Sequence, residues 1–362
     1  IRTKSWPVAG WCECSLKFSR SSLRPAGPRS RADAVMTTKS ALILLLRLSV
    51  SAGLLAFLFV WVDVDFGILW PDDGKAVAWL GAALACVVGS VVLAALRWKQ
   101  VCEALGLQVS TWRLVWHNFA GQFVSSFLPT TVGGDVVRVS RLGKDIGDRP
   151  TSFTTVIFER LSGWIVLPAS IFLGLALDSN LRSLGAATRG AFIAAVVTLL
   201  VLLIVIIAAG NDYSGRLLAR YEGSLAWIHA IHEGLDVLRT KPGEVGRILV
   251  SGAAYQGMLV LGFWCAAHSI GIEGFGFRAA LAFVPAVLIV QVLPLGIGGL
   301  GVREGALALF LGELGVPREK AVALGLTIYA LTTITSLIGL PSLVFNKSSS
   351  DQNPVEAAAE ST

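Results

Sequence analysis

"LPTTVGGDVVR", Leu128 to Arg138, breaks an otherwise apolar stretch of the chain. Proline stops a helix, two glycines loosen the backbone, and an arginine follows within a few residues. "LPLGIGGLGVR", Leu293 to Arg303, repeats the pattern: Leu, Pro, Gly, Gly, Val and Arg recur at the same relative positions, each 165 residues later.

The rest of the sequence says what kind of chain carries these breaks. Its 362 residues are 54% hydrophobic and 15% charged, where a soluble domain carries about a quarter charged. The long uncharged runs imply one multi-span membrane domain. Residues 1–35 hold seven Lys/Arg against Glu13 and Asp33, so of the net +6 only +1 belongs to the remainder. That remainder has no basic face, and no nucleic-acid partner is expected. Residues 1–35 read either as lying before a true start at Met36 or as a disordered basic arm on anionic lipid. Residues 36–345 read as a single transmembrane domain and 346–362 as a disordered polar tail.

A span needs about 20 apolar residues. Ala41–Val62, Ala76–Leu96, Ala191–Ala209, Ile248–Ile270 and Ala321–Phe345 qualify, and so does Phe153–Leu177 although it carries Glu159 and Arg160. Leu114–Phe127 and Ala280–Val292 are too short. Each precedes a Gly-rich break and a second short segment, Val136–Ile146 or Val302–Leu314. Such half-length pairs read as re-entrant hairpins; one bent span, or two short ones, over residues 280–314 is the alternative. Three full spans separate the two breaks, so the second copy is inverted. The expected fold is an all-α polytopic membrane protein: six full spans plus two re-entrant helical hairpins arranged as an inverted repeat, about 41–177 and 191–345, a plan common in transporters. Lys and Arg concentrate in the loops between residues 97 and 149 and between 209 and 248. These therefore face the cytoplasm, as do both termini.

A broken helix at membrane depth survives only when buried in protein or lining a wet cavity. Helices restarting after the breaks offer free N–H groups to an anion. Gly133, Gly134, Gly298 and Gly299 permit close approach, and Arg138 and Arg303, placed in the first turn, suit a phosphate. Pro129 and Pro294 mark the breaks. Glu159 and Arg160 lie about 10 Å inside their span, where a lone charge costs at least about 2–3 kcal/mol. Neighbours on a helix point about 100° apart, so reciprocal pairs are expected, Arg160 with Glu304 and Glu159 with Arg303. Gln122 is a candidate lining residue, with Asn118, Gln256 and Gln291 behind it. The glycines also suit helix packing and the amides helix bonding, and Arg138 a cytoplasmic anchor. His229 and His232, three apart, suit a solvated face; no metal site is expected.

The stretches "FVSSFLPTTVGGDVVRVSRLGKDIGDRPTSFTTVIFERLSGW" and "VLPLGIGGLGVREGALALFLGELGVPREKAVAL" resemble the transmembrane region of lysylphosphatidylglycerol synthases, whose stand-alone members are called flippase-like membrane proteins. The likeness covers roughly residues 41–345. It implies movement of a lipid between leaflets. Only "NKSSSDQNPVEAAAEST" follows Phe345, so synthase activity is not expected. In one departure, Tyr329 stands about where the first repeat has Arg160.

The resulting expectation is a lipid flippase of the cell membrane. A phosphate-bearing headgroup, on a phospholipid or a polyprenyl-linked lipid, would cross through a midplane cavity, with no cofactor and no enzymatic step. No Walker A motif is present to supply ATP as the drive. Lipid- or glycan-synthesis enzymes are the expected protein partners. The alternatives are a membrane-embedded lipid-modifying enzyme using Glu159 as base, and a non-transporting partner of a glycolipid synthesis complex.

Overall fold

The computed structural model describes residues 73–127, 133–209, 237–292 and 299–345, together with residues 231, 234 and 235. All lie in one compact unit, Leu44–Thr362. Ala41–Val62, Pro129, Pro294, Gly298, His229, His232 and both termini fall outside the described residues.

Among the described residues the structure is helical, with no strand. In chain order the helices are α1 (Gly74–Ala104), α2 (Thr111–Phe127), α3 (Gly133–Ile146), α4 (Arg149–Leu177), α5 (Gly185–Ala209), α6 (Pro242–Ser269), α7 (Phe277–Gln291), α8 (Val302–Gly312), α9 (Arg318–Ser336) and the short α10 (Leu340–Phe345). Five segments are long and apolar enough to cross a membrane: α1, α4, Gly185–Ile207, α6 and Arg318–Ser342. They match five of the six spans read from the sequence. Large apolar side chains on α5 face outward, Phe192 and Ile204 among them. That is a costly surface in water and a natural one in lipid.

Local chemistry sets the helix limits. The Asp73 carboxylate accepts from the Ala76 N–H at 2.7 Å and starts α1. Gly106 ends it with φ +81°, and the Leu107 N–H reaches back to the Cys102 carbonyl at 2.8 Å. The same stop recurs 165 residues later, where Gly271 has φ +67° and the Ile272 N–H bonds the Ala267 carbonyl at 2.9 Å. Because α1 runs on to Ala104, past the apolar limit at Leu96, Arg97 sits inside a helix. It is therefore a buried helical residue and not part of the cytoplasmic loop expected after Leu96.

Between the long helices lie two pairs of short ones, α2 with α3 and α7 with α8. At 17, 14, 15 and 11 residues they are each shorter than the helix needed to span about 30 Å. Their packing is matched: α3 lies on α4 as α8 lies on α9, and α4 meets α7 as α9 meets α2. Glycine makes the closest crossings. A Cβ on Gly174 would come 2.5 Å from the Ala282 nitrogen, and one on Gly339 would come 2.2 Å from the Phe119 carbonyl oxygen. Without a hydrophobic driving force between helices in lipid, such backbone approach maximises dispersion contact. Helices α1 and α6 pack along each other, α1 also meeting α2 and α6 meeting α7.

Candidate functional site

A cavity of about 160 Å³ is walled by α1, α2, α3, α4, α6 and α9. Of the residues expected to form a site, Gln122, Gly134, Arg138, Glu159 and Arg160 line it. Arg97, Asp135 and Tyr255 line it as well, and the sequence reading did not single these out as site residues.

Glu159 organises the closed side. It is 3% exposed and accepts from Arg97 and from both Nη atoms of Arg138, each of the latter at 3.2 Å. Arg138 also reaches Asp135 at 3.3 Å, and Arg160 donates to the same Asp135 oxygen at 2.8 Å. Charges therefore alternate along Arg97, Glu159, Arg138, Asp135 and Arg160. Aromatic faces carry part of the burden of burying cations: Arg138 lies 4.3 Å from the centroid of Trp98 and Arg97 lies 4.8 Å from that of Tyr255. Trp98 is fixed in turn by its Nε1–H donating to Thr155 at 2.9 Å.

Two glycines make room for Arg97. A Cβ on Gly163 would come 3.3 Å from its Nη1, and one on Gly252 would come 3.5 Å from its Cδ. Donor capacity is left over. Nε and Nη1 of Arg97, Nε of Arg138 and Nδ2 of Asn118 have no hydrogen-bond partner among the described residues. Buried N–H groups without acceptors are costly.

Several expectations about this site change. Arg138 belongs to the second turn of α3 rather than the first, because the helix begins at Gly133. It is not a solvated anchor, being 6% exposed. Gly134 serves packing: a Cβ there would come 2.1 Å from the Ser125 hydroxyl and 2.4 Å from the Gly121 carbonyl oxygen, so α2 and α3 could not close on each other. Gln256 is buried on α6, with its Nε2 unpartnered, and does not line the cavity.

The surroundings of Arg303 are built differently. Arg303, at 3% exposure, pairs with its neighbour Glu304 through Nε at 3.1 Å and Nη2 at 2.6 Å. The reciprocal pairs expected across the repeats, Arg160 with Glu304 and Glu159 with Arg303, are not formed. The obstacle to pairing neighbours is removed by capping. Glu304 folds back over the start of α8, its Oε2 accepting the Gly301 N–H at 2.7 Å, and Arg303 meets it there. The Arg303 guanidinium lies 5.5 Å from the Tyr329 centroid. Gly325 gives Glu304 its place, since a Cβ would approach the Glu304 Cγ to 2.8 Å. Gly299 takes φ +78° against Gln291. None of Gly299, Arg303 and Glu304 lines this cavity, whereas Gly134, Arg138, Glu159 and Arg160 do.

Against known families, the profile described as the lysylphosphatidylglycerol synthase TM region matches residues 44–339. The search of curated proteins gives no match.

Proposed function

The chain belongs to the lysylphosphatidylglycerol synthase TM region family as a multi-pass membrane protein, and from that premise we propose that it moves a lipid with a phosphate-bearing headgroup across the membrane. The lipid is a phospholipid or a polyprenyl-linked one. The observation that carries this reading is the pair of buried arginines, Arg97 and Arg138, walling a polar hollow among apolar helices and keeping N–H groups without acceptors. A phosphate oxygen competes with Glu159 for those guanidinium groups, while the tails stay in the bilayer. The matched packing of α1–α4 and α6–α9 supports an inverted repeat in which the short pairs are re-entrant hairpins.

On this reading the chain is a transporter rather than an enzyme. A base role for Glu159 needs a carboxylate free to take a proton, and this one is held by two guanidinium groups. The protein sits in the cell membrane with both termini cytoplasmic, as the loop charges favour. Its drive is a gradient or downhill exchange, and enzymes of lipid or glycan synthesis are its natural partners.

The test is reconstitution into liposomes holding a fluorescent phosphatidylglycerol whose outer-leaflet label is bleached chemically. Wild-type protein should expose the inner pool. Arg97→Gln and Arg138→Gln proteins, which should melt lower because Glu159 loses a buried partner, should do so at least about tenfold more slowly per folded molecule, the factor that a lost charge-assisted bond commands. If wild-type protein moves no anionic lipid faster than protein-free liposomes do, the reading fails.

A further inference from the structure

Asp135 was not singled out by the sequence, yet its position decides the charge of the cavity. The lining holds three guanidinium groups, Arg97, Arg138 and Arg160, against two carboxylates, Glu159 and Asp135. Each carboxylate bridges two arginines, Arg138 being shared. One positive charge is left over. Among the described residues no other charged side chain lines the hollow.

The two carboxylates are not equivalent. Glu159 is sealed, with 3% of its side chain exposed, and it holds the inner pair of arginines together. Asp135 is 19% exposed and Arg160 is 51% exposed. Arg160 therefore forms the open end of the charge chain, and Asp135 links it to the sealed pair. Where surroundings are poor in water, uncompensated charge is heavily penalised. A bound group with one negative charge neutralises the cavity. A doubly negative group leaves it anionic, and a zwitterion leaves its positive charge unmatched. The neutral lining, Ser90, Ser125, Asn118, Gln122 and Tyr255 among it, bonds hydroxyl groups without altering the tally.

Building on the transport reading, we propose that Asp135 is a specificity-determining residue. It holds the cavity at a single net positive charge, so that the site takes a phosphodiester headgroup bearing hydroxyl groups and discriminates against phosphomonoesters, diphosphates and zwitterions. The second element supplies an internal contrast. There, Leu300 stands 165 residues beyond Asp135, and Arg303 is neutralised by Glu304 alone.

The experiment compares three fluorescent lipids in the same liposomes at alkaline pH: phosphatidylglycerol, phosphatidic acid, which is then doubly charged, and phosphatidylcholine. Wild-type protein should move the first at least about tenfold faster than the other two, the preference one unmatched charge commands. Asp135→Asn, which raises the net charge to two, should lose or reverse the preference over phosphatidic acid, and Asp135→Glu should keep it. Melting temperatures of both variants report that the fold is intact. Equal wild-type rates for all three lipids overturn the charge assignment and leave transport standing. So does an Asp135→Asn protein slowed by one common factor for every lipid. No accelerated movement of any probe overturns transport and this inference together. An unlabelled polyprenyl phosphodiester that slows the labelled lipid adds polyprenyl lipids to the cargo, and one that does not confines it to glycerolipids; the charge assignment stands in both cases. A polyprenyl diphosphate that competes better than the phosphodiester overturns it.

Discussion

Arg138 and Arg303 stand 165 residues apart at one place in two copies of the same sequence element, and both are buried. Around Arg138 the neighbouring helices supply Arg97 and Glu159, its own helix supplies Asp135, and a cavity remains. Around Arg303 the positions 165 residues on from Arg97 and Asp135 hold Gly262 and Leu300, those matching Asn118 and Gln122 hold Phe283 and Val287, and the arginine is neutralised by the next residue in the chain. Backbone plan and side-chain furnishing have separated. The glycines, the short helices and the packing order repeat, because they answer to helix geometry. The charges differ: among the described residues the first copy's arginine lines a cavity and the second copy's is paired within its own helix start.

The strongest way to break this comparison is to remove the closed cluster's acid. Glu304 is wholly buried, pairs with Arg303 and caps α8. Glu304→Ala leaves a buried cation without a partner and should lower stability by about 3–5 kcal/mol, measured as melting temperature in detergent and as yield of folded protein. Glu304→Gln, which still accepts the Gly301 N–H, should lose less. If the alanine variant melts as the wild type does, the cluster is not what holds the second element shut.

How far the sequence revealed this division follows from the range of each cue. Periodicity and length are local, so the five described spans and all four short helices were legible, with ends shifted by a few residues. The extension of α1 was also present in principle. Buried positions Ala83, Val87, Ser90, Val101 and Ala104 recur at helical spacing on both sides of Arg97. The basic character of Arg97 masked that stripe. Pairing is not local. Glu159 is placed between Arg97 and Arg138 by the crossing of three helices, and no spacing along the chain announces it. The Arg303–Glu304 pair was discounted on regular helix geometry, which fails at a helix start, where a side chain folds back to cap.

A smaller effect tests whether the repeated glycines play the same part in both copies. At Gly134 the constraint is space, since a Cβ would strike Gly121 and Ser125. At Gly299 it is conformation as well, with φ +78°. Gly134→Ala should cost about 1–3 kcal/mol through overpacking. Gly121→Ala, whose Cβ would meet the Gly134 carbonyl oxygen at 2.9 Å across the same crossing, should add little once Gly134→Ala has already forced α2 and α3 apart. Gly299→Ala should add backbone strain of about 1–2 kcal/mol to its own clash with Gln291. A double-mutant cycle in melting temperature decides it. Additive losses at 121 and 134 would falsify the shared crossing.

Smaller still is the consequence of how α4 and α9 begin. These helices carry the residues that differ most between the copies, Glu159 and Arg160 against Ile328 and Tyr329, each pair at the same distance from Arg149 or Arg318. Asp148 caps α4, accepting from the Thr151 N–H at 3.2 Å and from its hydroxyl at 2.5 Å. Pro317 stands at the corresponding place before α9 and offers no side-chain cap. Asp148→Ala should therefore cost about 1 kcal/mol. Pro317→Asp should return less than that, because the fixed φ of proline, which restricts the unfolded chain, is lost with it. Both positions lie outside the cavity, so lipid movement should be unchanged while melting temperature shifts. If Asp148→Ala slowed transport at constant stability, the start of α4 would be coupled to Glu159, eleven residues further along the same helix, and the charge network would extend to the end of the membrane span.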